Sequence, residues 1–291
     1  MNLFVSALFL GLGIIWGSNF IYMKMAAVFI DPMQVVFYRV LFGFIPVFLY
    51  AMYKNIIKLE HLKYSFHFLI MSLFAAVIYY YGFVKGSSLL LSGIAGALSG
   101  SIPLFTFLVA SIFLKDEKIT KLAIIGVIIG FIGIVLISGV INEDIKGSNV
   151  DGILAIILGS LSVGTSFIYA KKFITPLKIK AAALVTYQLG FALIILFIIT
   201  DLDGINNIWN DTHSAVGMVL GLGLLGTGVA FITYYYIIEK IGALKASSIT
   251  YIPPVIALII GFFIVKEDIK LFDFISTGLI FVGVFLINKR A

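Results

Sequence analysis

Long apolar runs separated by short polar connections dominate the pattern along this chain. A helix needs about 20 predominantly apolar residues to cross a hydrocarbon core of about 30 Å. The runs show no alternation with a period of two and are about twice as long as the strands of a membrane barrel, so they predict helices. Ten spans are predicted: Leu3–Met23, Pro32–Tyr53, Tyr64–Lys85, Leu89–Leu114, Lys121–Gly139, Gly152–Lys172, Ile179–Thr200, Val216–Ile238, Ala243–Val265 and Leu271–Ile287.

The composition fits lipid as the solvent of these helices. Of the 291 residues, 62% are apolar and 12% are charged, whereas a soluble domain has about 45–50% and roughly 25%. A water-soluble globule of this size cannot cover so much apolar surface, which excludes a soluble enzyme, a disordered protein and a nucleic-acid-binding domain. We therefore predict an all-α integral membrane protein whose partners are membrane lipid and a small-molecule substrate, with no nucleic acid.

The basic residues predict how the spans are oriented. With the N-terminus in the cytoplasm, 14 Lys and Arg residues fall on the cytoplasmic side and 5 on the opposite side, while Arg39 lies within the second span. Cytoplasmic connections carry an excess of Lys and Arg, so this split places both termini in the cytoplasm. We expect a multi-pass protein of the cell membrane.

The second half of the chain repeats the first at a shift of 150 residues. The informative matches are Pro103 with Pro253, Glu117 with Glu267 and Gly133 with Gly283. Because each half holds five spans, an odd number, the second half enters the membrane from the opposite side. The prediction is one transmembrane domain over residues 1–291, built of two inverted five-helix repeats at about 3–139 and about 152–287. Secondary transporters often have such inverted repeats, with the substrate site near the midplane between them.

The polar residues of the first span resemble a known family. WGSNF at residues 16–20, followed by Lys24, is similar to the opening motif of the EamA-type branch of the drug/metabolite transporter superfamily. Arg39 and the segment KDEKIT at residues 115–120 resemble two more of its landmarks, with Gln188 and Glu267 at the corresponding places of the second half. The resemblance implies a ten-helix permease for small metabolites, often an exporter of amino acids or related compounds.

Prolines interrupt the fourth and ninth spans at matching depths, Pro103 in one and Pro253 with Pro254 in the other. A proline frees a backbone carbonyl that polar neighbours must compensate, and paired interrupted helices indicate a transport site. This predicts a polar cavity between the halves, although the same side chains would also serve helix packing in lipid. The neighbouring polar side chains are Ser99, Ser101, Thr106, Ser247, Ser248, Thr250 and Tyr251.

Arg39 is a candidate binding residue because an ionisable group inside a span is costly. It lies seven residues past the start of its span, about 10 Å deep at 1.5 Å per residue. One interpretation is that it binds an anionic group such as a carboxylate. The other is structural, with the guanidinium bonded to backbone carbonyls or paired with Asp31. The remaining candidate cavity residues are Trp16, Asn19, Tyr79, Ser166, Tyr169 and Gln188.

The sequence predicts no catalytic residue, no metal site and no cofactor. It has no cysteine and no P-loop motif, and no carboxylate lies in the middle third of a span. The leading hypothesis is a secondary transporter, expected from the resemblance to be an exporter, that moves small metabolites such as amino acids by alternating access. The alternatives are a drug-efflux or uptake permease, a membrane-embedded enzyme and a non-transporting scaffold. Both a monomer and a homodimer are compatible with the sequence.

Overall fold

The structure is a computed structural model, and it describes residues 3–114, 120–137, 147–241 and 248–288. Within these ranges all regular secondary structure is helical, and there is no strand. The helices of the first half are α1 (Leu3–Ala26), α2 (Pro32–Tyr53), α3 (Leu59–Leu89), α4 (Ser92–Phe113) and α5 (Lys121–Ile137). Those of the second half are α6 (Gly147–Tyr169, continued by Ala170–Ile174 and Thr175–Leu177), α7 (Ala181–Ile199), α8 (Thr212–Val216, continued by Gly217–Val229 and Ala230–Ile241), α9 (Ile249–Ile264) and α10 (Leu271–Asn288).

Each predicted span overlaps one of these helices where the chain is described. Seven helices, α1 to α4 and α6 to α8, are long and apolar enough to cross a membrane, whereas α5, α9 and α10 are apolar but shorter. The prediction for α2 has the observed bounds, and α3 begins earlier than predicted, at Leu59. The start of the predicted ninth span at Ala243 and the end of the fifth at Gly139 lie outside the described residues.

Large apolar side chains cover the outer surface of the helices. Ile198, Ile112 and Ile264 are 75%, 73% and 72% exposed, and many other Leu, Ile and Phe side chains are also exposed on the outer surface. An apolar surface of this extent is stable in hydrocarbon and unstable in water. Together with the helical backbone, in which each segment satisfies its own polar groups, it is the surface of a multi-pass membrane protein.

A capping box starts α2 and connects it to the second half of the chain. The Asp31 carboxylate accepts the N–H of Met33 at 2.8 Å, and the Gln34 side-chain oxygen accepts the N–H of Asp31 at 3.1 Å. The Gln34 amide nitrogen donates to the carbonyl oxygens of Asp201 and Asp203 at 2.8 and 2.7 Å. These bonds satisfy N–H groups that a helix start leaves free, and they occupy Asp31 away from Arg39.

Both proline-containing helices are irregular where the prolines lie. In α4 the α-helix ends at Ser99 and a new one begins at Ile102, with Pro103 in its first turn. In α9 a short 3-10 turn over Ser248–Tyr251 precedes the α-helix, whose first turn contains Pro253 and Pro254. Proline is tolerated in a first turn because its missing N–H would have no partner there.

Close helix pairs meet at glycines. A Cβ added to Gly126 of α5 would lie 2.5 Å from the carbonyl oxygen of Gly283 in α10, and one added to Gly283 would lie 2.5 Å from that of Gly126. Small residues at such crossings let helix backbones approach in lipid. The helices pack as α5 with α10, α4 with α9, α2 with α7, α1 with α8 and α9, α6 with α3 and α4, α2 with α8, and α3 with α7.

Candidate functional site

Arg39 is the centre of the candidate site because it places a cation inside the helix bundle. It lies on α2 and is 4% exposed. Its Nε donates to Thr227 Oγ1 of α8 at 3.2 Å, and its Nη1 lies 3.5 Å from the sulfur of Met23 in α1. Its guanidinium carbon stands 4.0 Å from the centre of the Tyr80 ring of α3, a cation–π geometry. Four helices therefore meet at this one side chain.

Asn19 and Thr227 hold the guanidinium in position. With its amide orientation assigned from its hydrogen bonds, Asn19 accepts from Arg39 Nη2 at 3.1 Å and donates to the carbonyl of Ile15 at 3.0 Å. The Thr227 hydroxyl donates to the carbonyl of Leu222 at 2.9 Å, so its lone pairs face Arg39. Both side chains are buried. The bonds to Thr227, Met23 and Asn19 use three of the five N–H groups that a guanidinium carries.

Glycines allow these helices to approach the arginine. A Cβ on Gly43 of α2 would lie 2.5 Å from a methyl carbon of Thr227, and one on Gly226 of α8 would lie 2.5 Å from the side-chain amide group of Asn19. Gly226 and Thr227 belong to the stretch Gly217–Val229, which has π-helical hydrogen bonding. Such stretches are frequent at functional sites. The sequence pattern does not indicate Thr227 as a site residue; a single hydroxyl among the glycines of this stretch is the signal that points to it.

No carboxylate neutralises Arg39 within the part of the chain that the structure describes. The two ion pairs found there are Lys24 with Glu267 and Lys58 with Glu60. The predicted alternative of a pair with Asp31 is wrong, because that carboxylate caps α2. A buried cation surrounded by neutral groups is costly, and it favours an anionic group at this place.

Trp16 and Tyr79, two of the candidate cavity residues, pack against other aromatic rings. The Trp16 ring packs against Tyr234 of α8 at 5.5 Å, in a small cluster with Leu12 and Ile237. Its contacts therefore differ from those of Asn19, which bonds to Arg39. The Tyr79 ring packs against Phe83 at 4.7 Å and Tyr80 at 4.9 Å. Tyr80, which was not among the candidates, is the tyrosine that contacts the guanidinium.

Four predicted hydroxyls donate to carbonyls of their own helices. Ser99 donates to Gly96 and Ser101 to Leu98 in α4, at 2.5 and 2.6 Å. In the same way Thr106 donates to Ile102 at 2.9 Å, and Ser166 of α6 donates to Val163 at 2.7 Å. Such bonds are a common way for Ser and Thr to be satisfied in a helix, and they leave the hydroxyl oxygen able to accept one more bond.

The paired proline segments lie against each other. A Cβ on Gly100, at the interruption of α4, would be 3.6 Å from the Pro254 ring of α9. Thr250 and Tyr251 are half-buried at the start of α9, and Ser247 lies outside the described residues. The structure therefore brings the two interruptions together, while Asn19 and Arg39 form a second polar group between α1, α2 and α8.

Tyr169 and Gln188 lie elsewhere in the bundle. The Tyr169 hydroxyl is 2.7 Å from His67 Nδ1, which connects α6 to α3. Gln188 of α7 is 4% exposed, and its backbone carbonyl accepts the Ser72 hydroxyl of α3 at 2.7 Å. Each of these contacts joins the two halves of the chain.

Glu267, which the sequence analysis gives as the counterpart of Glu117, lies at the centre of a polar cluster. Its carboxylate accepts the N–H and hydroxyl of Ser92 at 2.8 and 2.9 Å, the N–H of Gly93 at 3.0 Å and the ammonium of Lys24 at 3.1 Å. Burial raises the pKa of this carboxyl, but the N–H groups of Gly93 and Ser92 and the charge of Lys24 outweigh it, and the net pKa lies below its ordinary value. The hydrogen bonds of this cluster connect α1, the start of α4 and the α9–α10 connection.

Comparison with known proteins agrees with this fold. A family model described as the EamA-like transporter family matches residues 3–139 and again residues 150–289. "Uncharacterized transporter YoaV" of Bacillus subtilis is 28% identical over 94% of this chain and 92% of its own length. An "Uncharacterized transporter" of Archaeoglobus fulgidus is 24% identical over 94% and 95% of the two chains.

Two further comparisons concern the membrane and the fold. "Uncharacterized inner membrane transporter YedA" of Escherichia coli is 28% identical over 68% of this chain and 62% of its own. A solved crystal structure covers 98% of this chain with a TM-score of 0.64 at 16% identity, which is a likeness of fold. Since the family model matches nearly the whole chain, the protein belongs to the EamA-like transporter family and is a multi-pass membrane transporter.

Proposed function

We propose that this transporter moves small metabolites with an anionic group, such as the carboxylate of an amino acid, out of the cell by alternating access. The observation that carries the proposal is Arg39, a cation 4% exposed among neutral side chains of α1, α3 and α8. A bound carboxylate supplies the charge that these neighbours lack, and the planar guanidinium suits its two oxygens.

Flux into proteoliposomes tests this assignment. Wild type should carry acidic or zwitterionic members of a panel of amino acids, sugars, nucleosides and organic ions. Arg39→Gln, which keeps polarity without charge, should reduce transport of carboxylated substrates far more than that of neutral ones. An equal loss for every substrate, together with a lower unfolding temperature, would assign Arg39 a structural role instead. Absence of flux for the whole panel would contradict the transporter assignment.

Alternating access needs two halves that rock about a shared site, and we propose that these are the inverted repeats at about 3–139 and 152–287. Contacts between corresponding residues support this arrangement. A Cβ on Gly17 would contact Ile256, and a Cβ on Gly164 would contact Thr106. The two contacts correspond, because Gly164 lies 147 residues after Gly17 and Ile256 lies 150 residues after Thr106. Two more pairs of contacts correspond in the same way. The contact of Gly217 with Tyr22 matches that of His67 with Tyr169, and the contact of Gly126 with Gly283 matches that of Gly133 with Ser276.

The family model supports the same division, since its two matches begin and end close to the proposed repeats. In ten crossings an inverted pair of five-helix units puts both termini on one side, and the 14 to 5 split of basic residues favours the cytoplasm. The relative named as an inner membrane transporter supports the cell membrane as the location.

Export is the direction we propose, and a growth screen distinguishes it from uptake. Cells that express an exporter should tolerate toxic amino acids or their analogues better than control cells, whereas an uptake permease should make them more sensitive. Protection against structurally unrelated drugs in place of amino acids would favour a drug-efflux permease. Arg39→Gln, confirmed to reach the membrane at the wild-type level, serves as the control.

A further inference from the structure

A cavity of about 730 Å³ lies apart from Arg39, between α1, α2, α7 and α8. Lys54, which follows the end of α2, and Lys180, which precedes α7, both line it. Its other walls include the apolar side chains of Val185 and Phe231 and the aromatic rings of Tyr50 and Tyr236. The residues that line it include no Asp or Glu. The cavity thus combines two cations with an apolar wall.

Tight packing separates this cavity from the arginine site. Between them, Gly43 of α2 meets Thr227 of α8, and a Cβ on Gly228 would lie 2.4 Å from the Pro46 ring. The cavity instead faces outward, since Tyr50 and Tyr236 in its wall are each 37% exposed. Tyr50 lies three residues before the end of α2, and tyrosine near the end of a span is typical of the boundary between hydrocarbon and head groups. A membrane lipid therefore has access to the cavity from this side.

We propose that an anionic phospholipid of the cytoplasmic leaflet occupies this cavity, with its phosphate between Lys54 and Lys180 and an acyl chain along Val185 and Phe231. The leaflet rests on the membrane orientation proposed above, while binding itself does not depend on transport. Basic cavities between helices on the cytoplasmic side attract anionic head groups, and a buried acyl chain adds stabilisation for each methylene. The volume is within the range of about 300–1,000 Å³ usual for ligand cavities.

Binding to the purified, delipidated full chain in detergent tests the proposal. Native mass spectrometry with phosphatidylglycerol and phosphatidylcholine should show retention of the first over the second. The double variant Lys54→Gln/Lys180→Gln should bind phosphatidylglycerol about thirtyfold more weakly, as expected for two lysines at an anionic surface. The matched control Lys58→Gln/Lys63→Gln removes two charges at the nearby start of α3, outside the cavity, and should bind as wild type does.

A second variant keeps the charges and fills the space. Ala181→Phe adds a ring inside the cavity next to Lys180, so it should lower phosphatidylglycerol retention while the unfolding temperature stays near that of wild type. Equal binding of both lipids, or equal losses in the two double variants, would overturn the proposal. Displacement of the lipid by a transported amino acid would assign the cavity to substrate and overturn it as well. Arg39→Gln should retain the lipid, which separates this test from that of transport.

Discussion

Arg39 is stabilised by neutral groups, and one of them, Thr227, can be replaced by a side chain of nearly the same shape that lacks the oxygen. Thr227→Val keeps the volume and removes the oxygen that accepts from Arg39 Nε. Loss of a bond to a buried charge costs about 1–3 kcal/mol. We expect a lower unfolding temperature in detergent and a higher KM for carboxylated substrates in proteoliposomes. Thr227→Ser retains the oxygen and should restore KM; if it is as impaired as Val, the hydroxyl is not what positions Arg39.

For single residues, the sequence shows which polar side chains lie inside a span, where burying them in lipid costs free energy. Asn19 and Arg39 were predicted to matter because a polar group inside a span needs a partner, and the structure pairs them with each other. Their other neighbours, Met23 and Thr227, give weaker signals, because a Met or a Thr in a span is inexpensive wherever it lies; the one signal for Thr227 is its place as a single hydroxyl among glycines. Tyr79 was predicted in place of its neighbour Tyr80. Three consecutive tyrosines do not show which of them faces the inside of the bundle, because the orientation of a helix about its axis is not fixed by such a run.

Between elements, Glu267 connects three segments and its protonation should loosen them. Its pKa is lowered from the ordinary 4.5, so its contribution to stability is complete above that pH and is lost as the pH falls through the lower value of the folded state. We expect the unfolding temperature of wild type to fall as the pH drops below about 4.5. Glu267→Gln should unfold at a lower temperature at pH 7 and change less with acid.

The exposed Glu60 provides the control for this experiment. It also pairs with a lysine, Lys58, but its side chain is 64% exposed, where an ion pair contributes little. Glu60→Gln should therefore leave both the unfolding temperature and its dependence on pH unchanged. Equal behaviour of the two variants would show that the Glu267 cluster does not hold α1 and α4 together.

The crossing of α5 and α10 supplies a second prediction between elements. A Cβ on Gly283 would lie 2.5 Å from the Gly126 oxygen, so Gly283→Ala must separate the two helices. We expect a destabilisation of about 1–3 kcal/mol, the usual result of overpacking, measured as a lower unfolding temperature. Gly278 lies in the same helix with open space around its Cβ position. Gly278→Ala should be neutral or slightly stabilising, since Ala favours helix; similar effects of the two variants would contradict close packing at Gly283.

The positions of the helices could be predicted well because a span has a required length and a required polarity. Their internal irregularities were less predictable. Pro103, Pro253 and Pro254 indicated the interruptions of α4 and α9, since proline lacks a backbone donor. The π-helical stretches at Leu73–Val77, Ala170–Ile174, Gly217–Val229 and Ile260–Ile264 were not foreseen, because no residue type in them forbids an ordinary helix. The polar cluster at Glu267 also escaped prediction, since its partners lie 174 to 243 residues away.

For the whole molecule, the proposed inversion of the two halves makes a prediction that parallel repeats do not. Position 58 follows α2, and position 206 follows α7, its equivalent in the second half. Inverted repeats place these two connections on opposite sides of the membrane, whereas parallel repeats place them on the same side. The chain contains no cysteine, so a single introduced thiol reports one position without background.

In intact cells, a maleimide that cannot cross the membrane should label Asn206→Cys and spare Lys58→Cys. Both positions are solvent-exposed in the structure, so burial cannot explain a difference. Lys58→Cys should become reactive once the cells are permeabilised, which shows that its thiol is intact. Lys270→Cys, in the α9–α10 connection, should follow Asn206→Cys because two further helices separate them. Labelling of both 58 and 206 from outside would contradict the inversion, and exchange of the two patterns would reverse the proposed orientation while leaving the inversion in place.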